Sequence, residues 1–567
     1  MRVPLKVATT LQPLLVPSLG LGVGGLSKTV TRHLRTSWRP AKTLLRTKTL
    51  GFMSCTTMAI PPLSLQLRVA GGWVRDKLLG KDCYDIDIAL DNMMGTEFVD
   101  KVREYLLSIG EDAQGVCVIE SNPDQSKHLE TARMRLYDMW IDFVNLRSEE
   151  YTETSRIPTQ RFGTAEEDAY RRDLTINSLF YNINTEAVED FTKRGISDLK
   201  SGKIVTPLPP KETFLDDPLR VLRAIRFGAR FEFTLDEDLK RAAACDDVKD
   251  ALAAKISRER IGTEIDLMIS GNQPVKAMTC ICDLTLFWIV FSLPPESEPA
   301  IADGCDRLCL GYLDTAWNII RLIGDSTFTD EQKRLALYAA LLLPLRNTTY
   351  RDKKAKKIPV VNYIFRDSLK RKAKDAEMVL DLHRASDKFL SLIPYLLSNE
   401  DGQFVDVDSI GVLVDVPVSS RVRVLIVPHD FQVHCDPSLV LLKLLKVTRF
   451  LLREIKDFWR VALLISSILY PIDIECTKDE HLHLDKRRDL FKTVEDSILE
   501  LGLEKVWDVK QLINGKDVMN ALQLKGGPLV KQSLEKAMAW QLAHPSGTAE
   551  ECIDWLRETN SKRQKME

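Results

Sequence analysis

A chain of 567 residues exceeds what one hydrophobic core can organise, so three or four structural units are expected. Lysine and arginine number 79 against 81 aspartates and glutamates, a net charge of −2. That balance excludes a uniformly basic coat for nucleic acid, and any RNA contact must come from local basic patches. No apolar run reaches the roughly 18 residues that span a bilayer, so no membrane association is expected. The eleven cysteines lack the paired spacing of a zinc ribbon and read as reduced, buried thiols.

No Asp or Glu occurs before Asp76, while Arg2, Lys6, Arg32, Arg35, Arg39 and Arg46 recur among Ser, Thr and Leu. Residues 1–57 therefore read as an organellar transit peptide, mitochondrial or plastid, or else as a disordered basic leader. Met53 and Met58 lie just beyond the basic stretch and would start shorter forms, cytoplasmic or nuclear. From Leu65 to Asp190 short β-type runs dominate: Leu67–Ala70, Tyr84–Leu90, Val116–Glu120, Ala132–Tyr137, Met139–Asn145 and Ser178–Ile183. Helical periodicity falls between them at Glu97–Ser108. After about Thr213 the pattern turns helical and stays so. Asp217-Pro218 has the form of an acidic N-cap followed by proline at the first helical position. Thr329 with Gln332 forms a capping-box pattern, and Asp436-Pro437 opens an apolar stretch that Pro471 ends.

The first chemical signal is Gly71-Gly72-Trp73-Val74-Arg75-Asp76, followed by Asp85-Ile86-Asp87. On a strand, Asp85 and Asp87 share one face while Ile86 and Ile88 point to the core. Two carboxylates one pleat apart repel each other unless a cation lies between them, and hard oxygen ligands beside phosphate suit Mg²⁺. Gly71 and Gly72 let backbone amides approach a triphosphate, which Arg75 can neutralise. This combination resembles the signature of the nucleotidyltransferase superfamily that includes DNA polymerase beta, in its tRNA nucleotidyltransferase and bacterial poly(A) polymerase branch. The resemblance implies that Asp85 and Asp87 are catalytic and hold two magnesium ions. Asp142, alternating with Ile141 and Phe143, reads either as a third acidic group or as a solvent-facing strand residue.

Arg171-Arg172-Asp173-Leu174-Thr175-Ile176-Asn177 resembles the second motif of that family, which implies that Arg172 contacts the nucleotide and that Asp173 and Asn177 shape its sugar side. Asp190, Gly195 and Asp198 match a linker motif, read as a hinge. In Asp216-Asp217-Pro218-Leu219-Arg220, Arg223 and Arg226 follow Arg220 at intervals of three and share a helix face. The plain reading is a helix laced with salt bridges. The sharper one uses base chemistry. A carboxylate accepts from the exocyclic amine of cytosine or adenine, an arginine donates to cytosine N3 or adenine N1, and uracil and guanine present the opposite polarity. The resemblance assigns this pairing to Asp217 and Arg220, with Arg223 and Arg226 near the phosphates or fixing the pair. Ser257 to Glu264 resembles a bracing helix of the family.

The resemblance implies an α+β head with a mixed β-sheet and helices, followed by an all-α neck, body and tail. Expected boundaries are 58–190 for the head, 191–275 for the neck with its base-reading helix, 276–480 for the body and 481–567 for the tail. Body and tail would contact tRNA, and Arg351–Lys374, with ten cations around Tyr363 and Phe365, is the most basic stretch. The implied activity is addition of C-C-A to immature tRNA, or tRNA lacking it, from CTP and ATP. The segment from Arg147 to Asp168 stands at the family's flexible loop, which favours all three additions. A monomer is expected, with a dimer as the alternative. Competing readings are a poly(A) polymerase, which would favour ATP alone, and a non-catalytic RNA-binding protein, which the presence of Asp85 and Asp87 disfavours.

Overall fold

The structure, a computed structural model, describes residues 65–397, 447–471 and 480–564, with short breaks at 109, 111–114, 120–130, 137–138, 153–154, 325 and 545. The leader, both alternative starts and the Asp436-Pro437 helix opening lie outside the described residues. Two compact units form: residues up to 217 with 234–239, and residues 218–233 with 240 onward. The first therefore runs past Asp190, the expected end of the head. The reason is local: Lys203–Ile204 pairs in parallel with Thr234–Leu235, and the Thr175 hydroxyl donates to the buried Asp198 at 2.8 Å.

The first unit is built on a seven-stranded sheet. Its strands are β1 (Leu67–Ala70), β2 (Ile86–Leu90), β3 (Val116–Ile119), β4 (Thr131–Leu136), β5 (Met139–Asn145), β8 (Phe180–Asn182) and β9 (Ala187–Glu189), ordered β3-β4-β5-β2-β1-β8-β9. Arg147–Thr152 (β6) and Ser155–Phe162 (β7) form a separate antiparallel hairpin. The segment read as a flexible loop is thus a hairpin followed by the Ala165–Tyr170 helix, which Thr164 and Glu167 close with a capping box. Within the sheet β2 and β5 are parallel, the remaining pairs antiparallel.

The alternation predicted for β2 holds in space. Ile86 and Ile88 are buried against Ile141 and Phe143 of β5. The Gly95–Ser108 helix covers that face, its Phe98 ring 5.1 Å from Phe143. Gly95 begins it because any Cβ there would lie 2.7 Å from the Phe143 carbonyl oxygen. Asp87 and Asp142 are left on the opposite face.

The second unit is helical. Its Leu219–Phe231 helix starts one residue later than the sequence suggests, with Pro218 flanking it and Asp217 extended (φ −133°, ψ 96°) at the end of the Pro210–Asp216 helix. The Arg258–Ile269 helix comes so close to Leu369 that a Cβ on Gly262 would fall 1.8 Å from the Leu369 carbonyl oxygen. Thr329 and Gln332 cap the Asp330–Leu341 helix as predicted. Near the C-terminus the Gly515–Leu522, Pro528–Ala543 and Ala549–Gln564 helices share a core of Val518, Val530, Trp540, Cys552 and Leu556. No helix among the described residues is long and apolar enough to cross a membrane.

Candidate active site

At the end of β1 the chain turns through Gly71, whose φ of +69° and ψ of −123° suit glycine and open the Gly72–Leu78 helix. Its N–H donates to the Leu179 carbonyl at 2.8 Å. A Cβ at this position would stand 2.6 Å from Arg172 Nη1, so the glycine also makes room for the second motif. Arg75 is 4% exposed. Its guanidinium donates to Asp76 at 2.8 Å and to the Asn177 side-chain oxygen. The arginine read as neutralising a triphosphate is therefore engaged inside the protein, where it ties the first motif to the second. Asn177 in turn donates to Asp173 at 3.0 Å, so Asp173 and Asn177 hold one another in place.

Asp85 is exposed immediately before β2, and Asp87 is half-buried within it. Parallel pairing sets Asp87 directly beside Asp142 of β5. Burial first, then the like charge of Asp85, pushes the Asp87 carboxyl up to about 6; Asp142 adds to this, while Arg172 and Arg147 oppose it. Asp142 is likewise raised, by burial and by Asp85, against the pull of Arg133 3.0 Å away. Three carboxylates that repel one another at the centre of an open sheet face suit a cation. Among the described residues no group of three or more His, Cys, Asp or Glu side chains closes around a metal ion by itself. A Mg²⁺ ion that completes its shell with water and phosphate oxygens fits such a partial donor set.

Behind them lies a buried ion network that sequence reasoning missed. Asp168, 1% exposed, accepts from Arg171 through one oxygen (2.9 and 2.5 Å) and from Arg172 through the other (2.9 and 2.8 Å). Burial, the largest influence, would raise its carboxyl, but the two arginines outweigh it and hold it at about 2. Arg171 also reaches Glu149 of β6 at 3.1 Å. Arg172 lies 5.1 Å from the Phe180 ring of β8. The signal for Asp168 was faint, because an acid in the first turn of a helix is ordinary.

In the second unit, Arg220 is 7% exposed, while Arg223 and Arg226 are half-buried. Arg226 pairs with the buried Glu264 at 2.6 Å and lies over the Phe227 ring at 4.4 Å. Arg226 therefore fastens its helix to the Arg258–Ile269 helix, which is the bracing expected of that segment. Arg258 donates to the Ile289, Val290 and Ser368 carbonyl oxygens and anchors the brace in turn.

Comparison with known proteins places these motifs. A poly(A) polymerase head-domain family matches residues 67–205. The chain is 33% identical over 500 residues to a tRNA nucleotidyltransferase of Schizosaccharomyces pombe, covering 87% of this chain and 92% of that one. It is 33% identical over 530 residues to the mitochondrial CCA tRNA nucleotidyltransferase of Saccharomyces cerevisiae, covering 88% of each. Among solved structures, an apo CCA-adding enzyme matches with a TM-score of 0.56 over 94% of this chain and 98% of its own, at 18% identity. The Bacillus stearothermophilus CCA-adding enzyme in complex with CTP gives 0.55 over 92% and 98%, at 16% identity. The structural matches establish the fold. One residue in three identical along nearly the full length of both relatives establishes the lineage: the chain belongs to the CCA tRNA nucleotidyltransferase family.

Proposed function

We propose that this protein adds C-C-A to the 3′ end of tRNA, using CTP and ATP and releasing pyrophosphate. The observation that carries the reading is the set of Asp85, Asp87 and Asp142 on one open sheet face, with Arg172 acting electrostatically on Asp87. Family membership supports it, since the relatives are named for this activity. Asp85 and Asp87 would hold Mg²⁺, which when bound neutralises phosphate charge and acidifies the RNA 3′-hydroxyl. Gly72, in the first turn of its helix, admits the triphosphate close to the backbone, while Gly71 makes room for Arg172. Arg172, fixed by Asp168, offers the positive charge that receives it. Arg75 acts at one remove, by holding Asn177 and through it Asp173.

Base choice falls to Asp217 and Arg220. Cytosine and adenine satisfy a carboxylate and a guanidinium together, whereas uracil and guanine would leave them opposed. Arg226 serves this pair by fixing the helix, and Arg223, on the same helix face, supports it or reaches the phosphates. The relatives named mitochondrial, together with the acid-free leader, support a mitochondrial long form. Forms starting at Met53 or Met58 would stay in the cytoplasm or nucleus. The test uses purified protein, a tRNA transcript lacking C-C-A, and labelled nucleotides. CTP alone should add two residues, and CTP with ATP all three. A run of AMP from ATP alone would instead identify a poly(A) polymerase.

A further inference from the structure

The carboxylates occupy the middle of the sheet, and its two flanks differ. Toward β1 and β8 lie Gly71 and Arg172, read above as receiving the triphosphate, with the buried Phe180 ring 5.1 Å from Arg172. Toward β5 and β4 the same open face carries Arg133, Trp140 and Arg135. Strand register makes the alignment strict. Asp87 lies beside Asp142, Asp142 opposite Arg133, and, one pleat along, Trp140 opposite Arg135. Trp140 is thus two residues from Asp142 on one strand face, about 7 Å away.

This flank is not built like a surface that only needs to be soluble. Trp140 is 41% exposed, its six-membered ring close to Gly115 and the rest reaching water, which is unusual for an indole. The Arg133 guanidinium stands 5.4 Å from its ring, and the Arg133 side chain is itself 43% exposed. Arg133 Nε and Asp142 Oδ1 are 3.0 Å apart yet out of hydrogen-bonding alignment, and each is buried with no hydrogen-bond partner. Arg135 is exposed beside them. A part-exposed indole with one guanidinium against its ring and a second arginine opposite it on the neighbouring strand matches a single nucleotide of RNA, with its base on the ring and its phosphate on the cations.

We infer that Trp140, with Arg133 and Arg135, is the platform on which the unpaired 3′-terminal nucleotides of the acceptor RNA stack while their hydroxyl faces the carboxylates. The inference rests on reading Asp85 and Asp87 as the site of transfer. Transfer brings two substrates to one pair of acids. With the incoming nucleotide on the β1–β8 flank, the β5–β4 flank is free for the strand being extended. Base–aromatic stacking is tolerant of sequence, which suits an end that changes identity at each addition.

The test measures RNA binding by fluorescence anisotropy with the full chain and no nucleotide present. The probes are an acceptor-stem hairpin with a blunt end and the same hairpin with two unpaired 3′ nucleotides. Wild-type protein should bind the overhang more tightly. Trp140→Ala should remove about tenfold of that gain, the scale of one base–aromatic stack, while leaving blunt-hairpin affinity unchanged. Trp140→Phe should keep most of it, and Arg135→Glu, at an exposed site, should lower it too. An overhang gain that survives in both Trp140→Ala and Arg135→Glu overturns the inference. So does a rise in KM for CTP with the overhang gain intact, since the indole would then serve the nucleotide. Wild-type protein that shows the overhang gain but adds no nucleotide would refute the transfer reading, not the platform.

Discussion

Replacing Asp168 by Asn tests whether the buried network behind the carboxylates holds the head together and aims Arg172. The aspartate is held at about 2 against an ordinary 3.8, a preference on the order of 2–3 kcal/mol for the charged form in the folded protein. Because the folded value is depressed, this stabilisation is complete above about pH 4 and is lost as the pH falls toward 2. Asp168→Asn keeps the shape but leaves two guanidinium groups facing a neutral amide. Breaking one side of a buried pair costs roughly 3–5 kcal/mol. For a unit of this size each kcal/mol moves the midpoint by about 2–4 °C, so a fall of roughly 6–20 °C is expected at pH 7. Thermal unfolding followed by circular dichroism between pH 2 and pH 7 measures both effects. The variant should also lose the part of the acid sensitivity that lies between pH 4 and pH 2. Its nucleotide addition should fall for CTP and ATP alike, because Arg172 loses both of its bonds to that carboxylate. A variant with the wild-type midpoint and an unchanged acid limb would show that Arg171 and Arg172 are held by something else.

Three further outcomes follow from the same geometry. Asp85→Asn or Asp87→Asn should abolish incorporation of CMP and AMP while tRNA binding persists, as filter binding and single-turnover assays would show. Without added divalent cation, Asp87→Asn should also be the more stable protein at pH 7: its carboxyl is raised to about 6, so wild type gains stability only as the pH falls from 6 toward 4. Asp217→Ala should raise UMP and GMP misincorporation, and Arg220→Ala should impair CTP and ATP use together. Each lost charged hydrogen bond is worth about 1.5–3 kcal/mol, on the order of tenfold to a hundredfold, readable by competing labelled nucleotides. Gly262→Ala, whose methyl would overlap the Leu369 carbonyl, should destabilise the helical unit by at least the roughly 1–3 kcal/mol typical of overpacking, read as a lower unfolding midpoint.

The strands and the carboxylate pair were legible because each depends on residues adjacent in the chain. Alternation in Asp85-Ile86-Asp87-Ile88 determines which side chains face the core, and a buried Ile86 and Ile88 satisfy it. Gly71 was singled out for the approach of a triphosphate; its positive φ and the room it makes for Arg172 depend on a segment a hundred residues away. What stayed hidden depends on pairing between distant segments. Asp142 reads more readily as a surface strand residue than as a third acid until parallel β2–β5 pairing sets it beside Asp87. The two arginines of Arg171-Arg172 resemble surface charge until Asp168 and Glu149 are brought to them. Arg75 was read from its charge alone, and the carboxylate that occupies it is its own neighbour, Asp76. The stretch from Arg147 to Phe162 looked like a loop because its polar residues, exposed in part on a two-stranded ribbon, show no alternating apolar face.

A net charge of −2 also conceals how charge is distributed. Several acids are paired with arginines inside the protein: Asp168 with two, Glu264 with Arg226 and Asp375 with Arg334. A carboxylate neutralised by a buried partner contributes little to the field that an approaching polyanion meets. The cations of 351–374 are arranged the other way. Lys353, Lys354 and Lys356 occupy an exposed turn between two short strands, Thr349–Arg351 and Lys357–Pro359; Lys357 begins the second, and Arg366, Lys370, Lys372 and Lys374 are exposed beyond it. Glu298 meets Lys357 at 3.6 Å and Arg351 at 3.9 Å, with all three side chains more than half exposed, pairs too long and too wet to cancel the strip. A chain of nearly neutral composition can thus present a local basic strip, because exposed cations cluster there while acids such as Asp168 and Glu264 are paired with arginines elsewhere. Binding through such a surface follows backbone phosphates and weakens with added salt, which is the behaviour wanted for many tRNAs that share a shape and differ in sequence.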